Sequence, residues 1–510
     1  MKTQLLTTLV AAGVMAGSMA TAFAADPKYK ADVPASLITP DTVKTKYLGD
    51  LKFVDGFPTD ATLEKSYDFL DTSRAVQLFT SGIPTASMHG LLKGHRDIGV
   101  KPNKTVALTE ELLDARSIWL TPNTTTPYIH IELNVKEGPV VFEVGTPVIG
   151  IVDNAWFLYV GDVGLGGPDK GKGGKYLLVG KDYKGKIPEG YFVMHTDTYR
   201  HWMLIRAVGK PGESVKDTLK AFKAGFKMYP LAQAKNPQPN DYINISGKKY
   251  NTIHAGDASI YDELNEVIQY EPANSGDPEM LGLAAELGIS KGNPFTPDAR
   301  MKKILNEAAS IGNAASRAVM FKPRNKSVYF YPDRQLFSPL ADGSSDFLDQ
   351  NGARMLDRRI GFLYFATGVT PFMVSPKPGS GSVYEIAATD ASGKMLSGSN
   401  TYSVTLPGPV PAKAFWSFMV YDVQTRSILE TDQKAGGIDS MAKDLKANAD
   451  GSYTVYFASK PPKGKEGNWV QTMPNKGFHV LLRLYSPLQP WFDKTWKPGD
   501  FELVKQFAQD

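Results

Sequence analysis

The chain has 510 residues, with 57 basic against 53 acidic side chains, 42% hydrophobic residues and no cysteine. The missing cysteine excludes disulfides, thiolate zinc sites and iron–sulfur clusters. A net charge of +4, interspersed along the sequence, excludes the clustered basic face of a nucleic-acid-binding protein.

The first residues, MKTQLLTTLVAAGVMAGSMATAFA, carry one positive charge at Lys2, an apolar stretch from Leu5 to about Ala20 and an A-x-A site at Ala22-Phe23-Ala24. This pattern predicts a secretory signal peptide cleaved after Ala24, and hence a periplasmic or secreted protein. No later segment has 18 apolar residues in a row, so no transmembrane segment is expected in the mature protein. Residues 25–60, rich in Pro, Asp, Lys and Thr, read as an extended arm. Leu63, Tyr67, Leu70, Val76, Leu78 and Phe79 recur at helical spacing, and Ala86, Met88 and Leu91 continue the pattern after a break expected at Pro84.

From about 115 to 208 the runs IWLTP, PYIHIEL, GPVVFEV, WFLYVGDV, KYLLVG, GYFVMH and WMLIRAV read as seven short strands, defining an N-terminal β-rich domain over 61–210. Residues 211–345 read as a mainly helical connection, with helix starts at Ser214, Asp277-Pro278 and Pro297-Asp298. Residues 346–510 predict a helix over about 346–366 followed by the strands YEIAA, YSVTL, FWSFMVYDV, YTVYFA and HVLLRLY. The fold class expected is mainly β with α (α+β): two β-sandwich or jelly-roll-like domains with a helical segment between them.

Three groups of residues can carry chemistry. In PYIHIEL, alternation puts Tyr128, His130 and Glu132 on one strand face, where the His-x-Glu pair presents a nitrogen and an oxygen to one divalent metal, with His195, Asp197 or His201 as a third ligand. The competing reading of this row is a solvated polar face. GGPDKGKGGKY has the outline of a phosphate loop, but Gly173 stands where magnesium needs Ser or Thr, and a strand follows. What remains is a loop in which Lys170, Lys172 and Lys175, beside Asp169, can cover a site and attract an anion. In VDNAWFLYVGDVG, Asp153 and Asp162 near Trp156 and Tyr159 suit hydrolysis, one carboxyl as acid and the other as base or nucleophile. Carboxylates closing turns beside core rings would look the same.

With these segments laid out, the sequence resembles bacterial secreted proteins that join domain of unknown function 1254 to domain of unknown function 1214. The N-terminal likeness lies in SYDFLDTSRAVQLF (66–79), TPNTTTPY (121–128), GPVVFEV (138–144) and the stretch from Asp153 through GPDKGKGGKY to Tyr199 and Arg206. The C-terminal likeness lies in NGARMLDRRIGFLYFATGVTP (351–371), YSVTLP, AFWSFMVYD, Asn468-Trp469, RLYSP (483–487) and Trp496. Many such proteins read T-P-N-x-D-T-x-Y, whereas Thr125 stands here in the Asp position. The resemblance implies an envelope location and a two-part β architecture, and names no substrate.

The functional expectation is a hydrolase-like enzyme acting on a polar or anionic small molecule or glycan in a loop-covered cleft of the N-terminal β domain. In it Asp153 and Asp162 move protons, His130 and Glu132 hold any metal, and Asn123, Tyr128, Trp156, Lys170, Lys172, Lys175, Tyr199 and Arg206 contact substrate. The alternatives are a solute- or glycan-binding protein, with Arg206 or Arg354 pairing an anion, and a structural envelope protein. The oligomeric state is left open.

Overall fold

The computed structural model describes residues 32–209, 212–338, 340 and 343–504; the signal-peptide reading falls outside them. The chain divides into two units, up to Tyr67 and from Asp68 onward. In the first, the arm is a three-stranded antiparallel meander of Thr42–Thr45, Gly49–Val54 and Phe57–Pro58. The Thr45 hydroxyl closes the first turn, accepting from the Leu48 N–H and donating to the Gly49 carbonyl at 2.9 Å in each case. No described side chain before Thr62 is buried.

The helix that follows, Asp60–Asp97, runs unbroken through Pro84. Ile83, Ala86, Met88, Leu91 and Leu92 are all buried there, and this packing offsets the one backbone bond that proline removes.

In the second unit, the N-terminal β region is a pair of sheets. One has six strands in the order Asp241–Asn244, Thr105–Leu108, Ile129–Asn134, Arg200–Ala207, Val148–Asn154, Tyr159–Gly164, and the other four in the order Phe192–Thr196, Gly174–Gly180, Val140–Val144, Lys227–Pro230. Their facing sides share a core that includes Ile131, Phe142, Val152, Val163, Leu178 and Met203. Two of these strands come from the stretch read as a helical connection, so the β region extends beyond residue 210 to Asn244. IWLTP is not a strand and makes a single bridge from Ile118 to Asn251. WFLYVGDV begins as a turn, in which the Asn154 side chain accepts from the N–H groups of Trp156 and Leu158.

The helix starts hold: Ser214, Asp277 and Asp298 each cap a helix, accepting from the N–H three residues on. The helix expected over 346–366 is only Leu356–Leu363. Before it, Asp349 accepts from the N–H groups of Asn351 and Ala353, and Gly352 sits at φ +82°, so local side-chain bonds replace a helical turn.

The C-terminal β region repeats the two-sheet plan. Strands Ser382–Ala387, Phe478–Pro487, Ala412–Asp422 and Gly437–Asp439 form one sheet, and Trp469–Gln471, Tyr453–Ala458, Tyr402–Leu406 and Glu502–Leu503 the other. Phe418, Val420, Phe457, Val480 and Leu482 fill the space between them. The observed fold is thus mixed α+β, with 21 strands in five sheets and eight α-helices among the described residues.

Candidate functional site

Period-two alternation gives each sheet a second face. In the six-stranded sheet, Ile129, Ile131, Met203, Ile205, Val152 and Val163 point into the apolar core. Their alternates His130, Glu132, Trp202, Leu204, Arg206, Ile151, Asp153 and Asp162 therefore share the opposite face. In the strand Phe478–Pro487, Val480, Leu482 and Leu484 point inward, leaving Leu481, Arg483 and Tyr485 on the other side. Between these two outer faces lies a cavity of about 190 Å³. Its walls include Tyr128, His130, Ile151, Asp162, Trp202 and Arg206 from the N-terminal region, Tyr384, Leu481 and Arg483 from the C-terminal region, and Phe362, Phe365, Thr370, Phe372 and Met373 from the segment between. The polar row on the His130 strand is thus buried against a cavity, not solvated, and the cleft belongs to both β regions.

The segment 119–128 joins the halves. The Thr121 carbonyl accepts from Nη2 of Arg483 at 2.9 Å, the Thr121 hydroxyl donates to the Phe365 carbonyl at 2.8 Å, and its N–H donates to the Arg426 carbonyl at 3.0 Å. These three bonds hold a β-branched residue at φ +38°, a strained position that only over-determined surroundings maintain. The Tyr421 hydroxyl donates to the Pro122 carbonyl at 2.6 Å. Asn123 organises the loop: its Oδ1 accepts from the N–H groups of Thr125 and Thr126, at 3.0 and 2.9 Å, and from both hydroxyls. Its own N–H and Nδ2 donate to the Tyr128 oxygen at 3.0 and 2.7 Å, which leaves the Tyr128 proton free to donate elsewhere. Thr125 lies 3.3 Å from the Tyr485 hydroxyl.

One part of the cavity is cationic. Arg206 lies over the Tyr128 ring at 5.2 Å, and Arg483 lies 5.9 Å from Tyr384 and 5.7 Å from Tyr421. Burial works against both charges, but the surrounding tyrosine oxygens outweigh it and hold both guanidiniums above the ordinary arginine range. The titratable groups that act most strongly on Arg206 are Tyr128, Tyr384, Tyr485 and Arg483, none of them a carboxylate.

Another part is acidic. Asp153 is wholly buried, and burial followed by the neighbouring Asp162 pushes its carboxyl well above the usual range. Neither oxygen makes a hydrogen bond of ordinary geometry, the Val369 N–H being a donor that faces it only loosely. Asp162, opposite Ile151 on the neighbouring strand, lines the cavity and accepts from the Tyr159 hydroxyl at 3.1 Å; burial raises its carboxyl too. The two residues are diagonal neighbours on adjacent strands, roughly 7–8 Å apart at the backbone.

His130 stacks between His95 at 4.8 Å and Trp202 at 5.7 Å, and its Nδ1 accepts from the Trp202 indole N–H at 3.1 Å. Burial, then His95 and Arg206, hold it neutral, so Nε2 carries the proton. Glu132 faces Arg96 at 3.6 Å, and burial raises its carboxyl although Arg96 and Arg200 oppose this. No third His, Asp or Glu joins this pair among the described residues. His195 and Asp197 are exposed, and His201 is buried in contact with the Thr196 hydroxyl at 2.6 Å. The donor set assembled around His130 is aromatic and cationic, which does not fit a divalent ion.

The other candidates lie elsewhere. Lys170, Lys172 and Lys175 are exposed, and only Gly166 of their loop reaches the cavity. Lys175 pairs with Glu143 at 3.3 Å, while Asp169 is buried as an acceptor for Gly173 and Tyr176. The buried Trp156 donates to Ser275, and Tyr199 packs edge-on to Tyr270. Arg354 donates to the Asp346 carbonyl, and Asp357 pairs with Arg324. Of the expected site residues, Tyr128, His130, Asp162 and Arg206 line one cavity, with Asn123 and Asp153 directly behind its wall. The sequence reading missed Arg483, Tyr384, Tyr421 and Tyr485. The signal available was an arginine within the apolar alternation of HVLLRLY.

A family model described as protein of unknown function (DUF1254) matches residues 102–230, and one described as protein of unknown function (DUF1214) matches residues 381–489. No curated protein matches. Among solved structures, the VPA0106 protein from Vibrio parahaemolyticus is similar at a TM-score of 0.51 and 16% identity, over 85% of this chain and 100% of that one, a likeness of fold. An uncharacterised protein from Burkholderia cenocepacia aligns at a TM-score of 0.38 and 13% identity, over 88% of this chain and 91% of that one. No described helix is long and apolar enough to cross a membrane. The six-stranded sheet with Arg206 lies largely within the first match and Arg483 within the second, so the chain carries a DUF1254 region followed by a DUF1214 region, the cavity lying between them.

Proposed function

We propose that this is an exported protein that receives a small anionic molecule with an apolar body in the cavity between its two β regions. The observation that carries the reading is the pair Arg206 and Arg483, two guanidiniums at one cavity, surrounded chiefly by tyrosines and with no carboxylate ion pair among the described residues. A buried charge such as Arg483 is ordinarily paired, and here a ligand anion completes the pair, with the half-buried Arg206 beside it. The remaining wall, with Leu91, Trp119, Trp202, Phe362 and Phe372, favours a body with apolar faces over an extended glycan.

Calorimetry of the purified protein with benzoate and benzyl alcohol tests this. Benzoate is expected to bind and the alcohol not to. Arg483→Met and Arg206→Met are each expected to weaken benzoate by about 2–5 kcal/mol while circular dichroism stays unchanged. Equal binding of alcohol and acid, or binding indifferent to both arginines, would sink the reading. Cell fractionation with N-terminal sequencing tests export, a cytoplasmic chain retaining Met1 being the contrary result.

A second reading, hydrolysis of the bound molecule, is favoured by Asp162 on the cavity wall beside Asp153, whose carboxyl burial raises well above the usual range. Two neighbouring carboxyls that burial raises to different extents can serve as acid and base. Asp162→Asn is expected to abolish turnover of anionic ester substrates and leave binding intact. Loss of binding instead would assign Asp162 to recognition.

A further inference from the structure

Resting on that reading of the cavity, we infer that the ligand's head is a dianion with three terminal oxygens, a phosphate monoester or phosphonate, and not a carboxylate. The first ground is charge. Arg206, half-buried, and Arg483, buried, share Tyr128, Tyr384 and Tyr485 as neighbours and oppose one another, so two like charges face one cavity. A monoanion balances one of them and leaves the other uncompensated, whereas a dianion balances both.

The second ground is the supply of donors. Nη2 of Arg483 is committed to the Thr121 carbonyl, but its Nη1 is buried and without a partner. Arg483 is itself 4% exposed. The Arg206 guanidinium makes no hydrogen bond to a described protein group, and the Tyr128 proton is free because its oxygen already accepts twice from Asn123. A carboxylate has about four lone-pair sites on two oxygens, and a phosphate monoester presents three strong acceptor oxygens. The Arg206 fork, Nη1 of Arg483 and a tyrosine proton exceed what the carboxylate can accept and match the phosphate.

The third ground is placement. Arg206 pairs with Ile149 and Asp162 with Ile151, so the cationic and acidic wall positions stand two strands and two residues apart, roughly 12 Å between Cα atoms. The head can sit against the arginines without meeting the Asp162 carboxyl, with the Trp202 and Phe372 walls left for its body.

The test compares phenyl phosphate, phenylphosphonate, which resists hydrolysis, and benzoate by calorimetry on the full protein at fixed ionic strength. At about pH 8, where phosphate is a dianion, both phosphorus probes are expected to bind at least about tenfold more tightly than benzoate. At about pH 5, where phosphate carries one charge, the advantage is expected to shrink to within about threefold. Arg206→Met is expected to remove it at either pH. Benzoate binding as tightly as phenylphosphonate at the higher pH, with both dependent on the arginines, overturns the dianion class and leaves the anion site standing. No arginine-dependent binding by any of the three overturns both.

Discussion

The two β regions follow one plan and use it for opposite electrostatic ends. Each pairs two sheets around an apolar core, around Phe142 and Leu178 in one and Phe418 and Phe457 in the other, and each turns the outer face of one sheet toward the shared cavity. On the N-terminal face, burial drives His130, Glu132 and Asp153 toward their neutral forms, even at Glu132, where Arg96 and Arg200 oppose it. On the C-terminal face, Arg483 is equally buried yet keeps its charge, because the Thr121 carbonyl and the Tyr384 and Tyr421 rings surround it. Depth of burial is therefore similar, and the neighbouring oxygens and π-faces decide which groups stay ionised.

The largest expected effect tests whether the two regions stand or fall together. Phe142→Ala and Phe457→Ala each empty a fully buried ring from one core and are expected to cost about 3–5 kcal/mol. If the bonds from segment 119–128 couple the regions, urea unfolding stays a single transition in both variants. Two resolved transitions would show regions of independent stability.

Next comes the linker between the regions. Gly368 sits at φ +76°, and a Cβ there would lie 2.8 Å from Ile151 and 3.3 Å from Trp202. Gly368→Ala is expected to destabilise by about 1–3 kcal/mol and to weaken ligand binding by misplacing Thr370. Unchanged stability would mean that this wall yields easily.

The neutral character of the N-terminal face is sharpened by pH. Asp153 has a folded pKa above its unfolded value, so its contribution is complete below about pH 4 and is lost as pH rises toward the folded value, at up to about 1.4 kcal/mol per unit. Asp153→Asn removes this loss, and its stability relative to wild type is expected to rise between pH 4 and pH 8 in urea titrations. A parallel pair of profiles would mean that Asp153 is ionised in the folded protein. The smallest effect is expected for Tyr421→Phe, which deletes the bond to the Pro122 carbonyl and should cost about 0.5–1.5 kcal/mol.

Much of this was legible from local chemistry. Asp277 and Asp298 announced their helices because a carboxylate before a run of good helix formers satisfies the first free N–H groups. His130 and Glu132 fell on one face because a strand alternates, and alternation survives any tertiary arrangement. What alternation leaves undetermined is where that face looks. The same row could have faced water, and only packing against the segment from Phe362 to Met373 makes it a cavity wall. Pro84 shows the reverse case, in which a local rule for a break loses to burial on nearly every side. The arginine pair was the least legible feature: Arg206 and Arg483 stand 277 positions apart in the sequence. The sequence alone determined the two β regions, their order and the residues of each face, since these follow from short-range periodicity and capping. The tertiary structure alone decided which faces meet, and so which charges are left without a partner, because that depends on contacts between residues far apart along the chain.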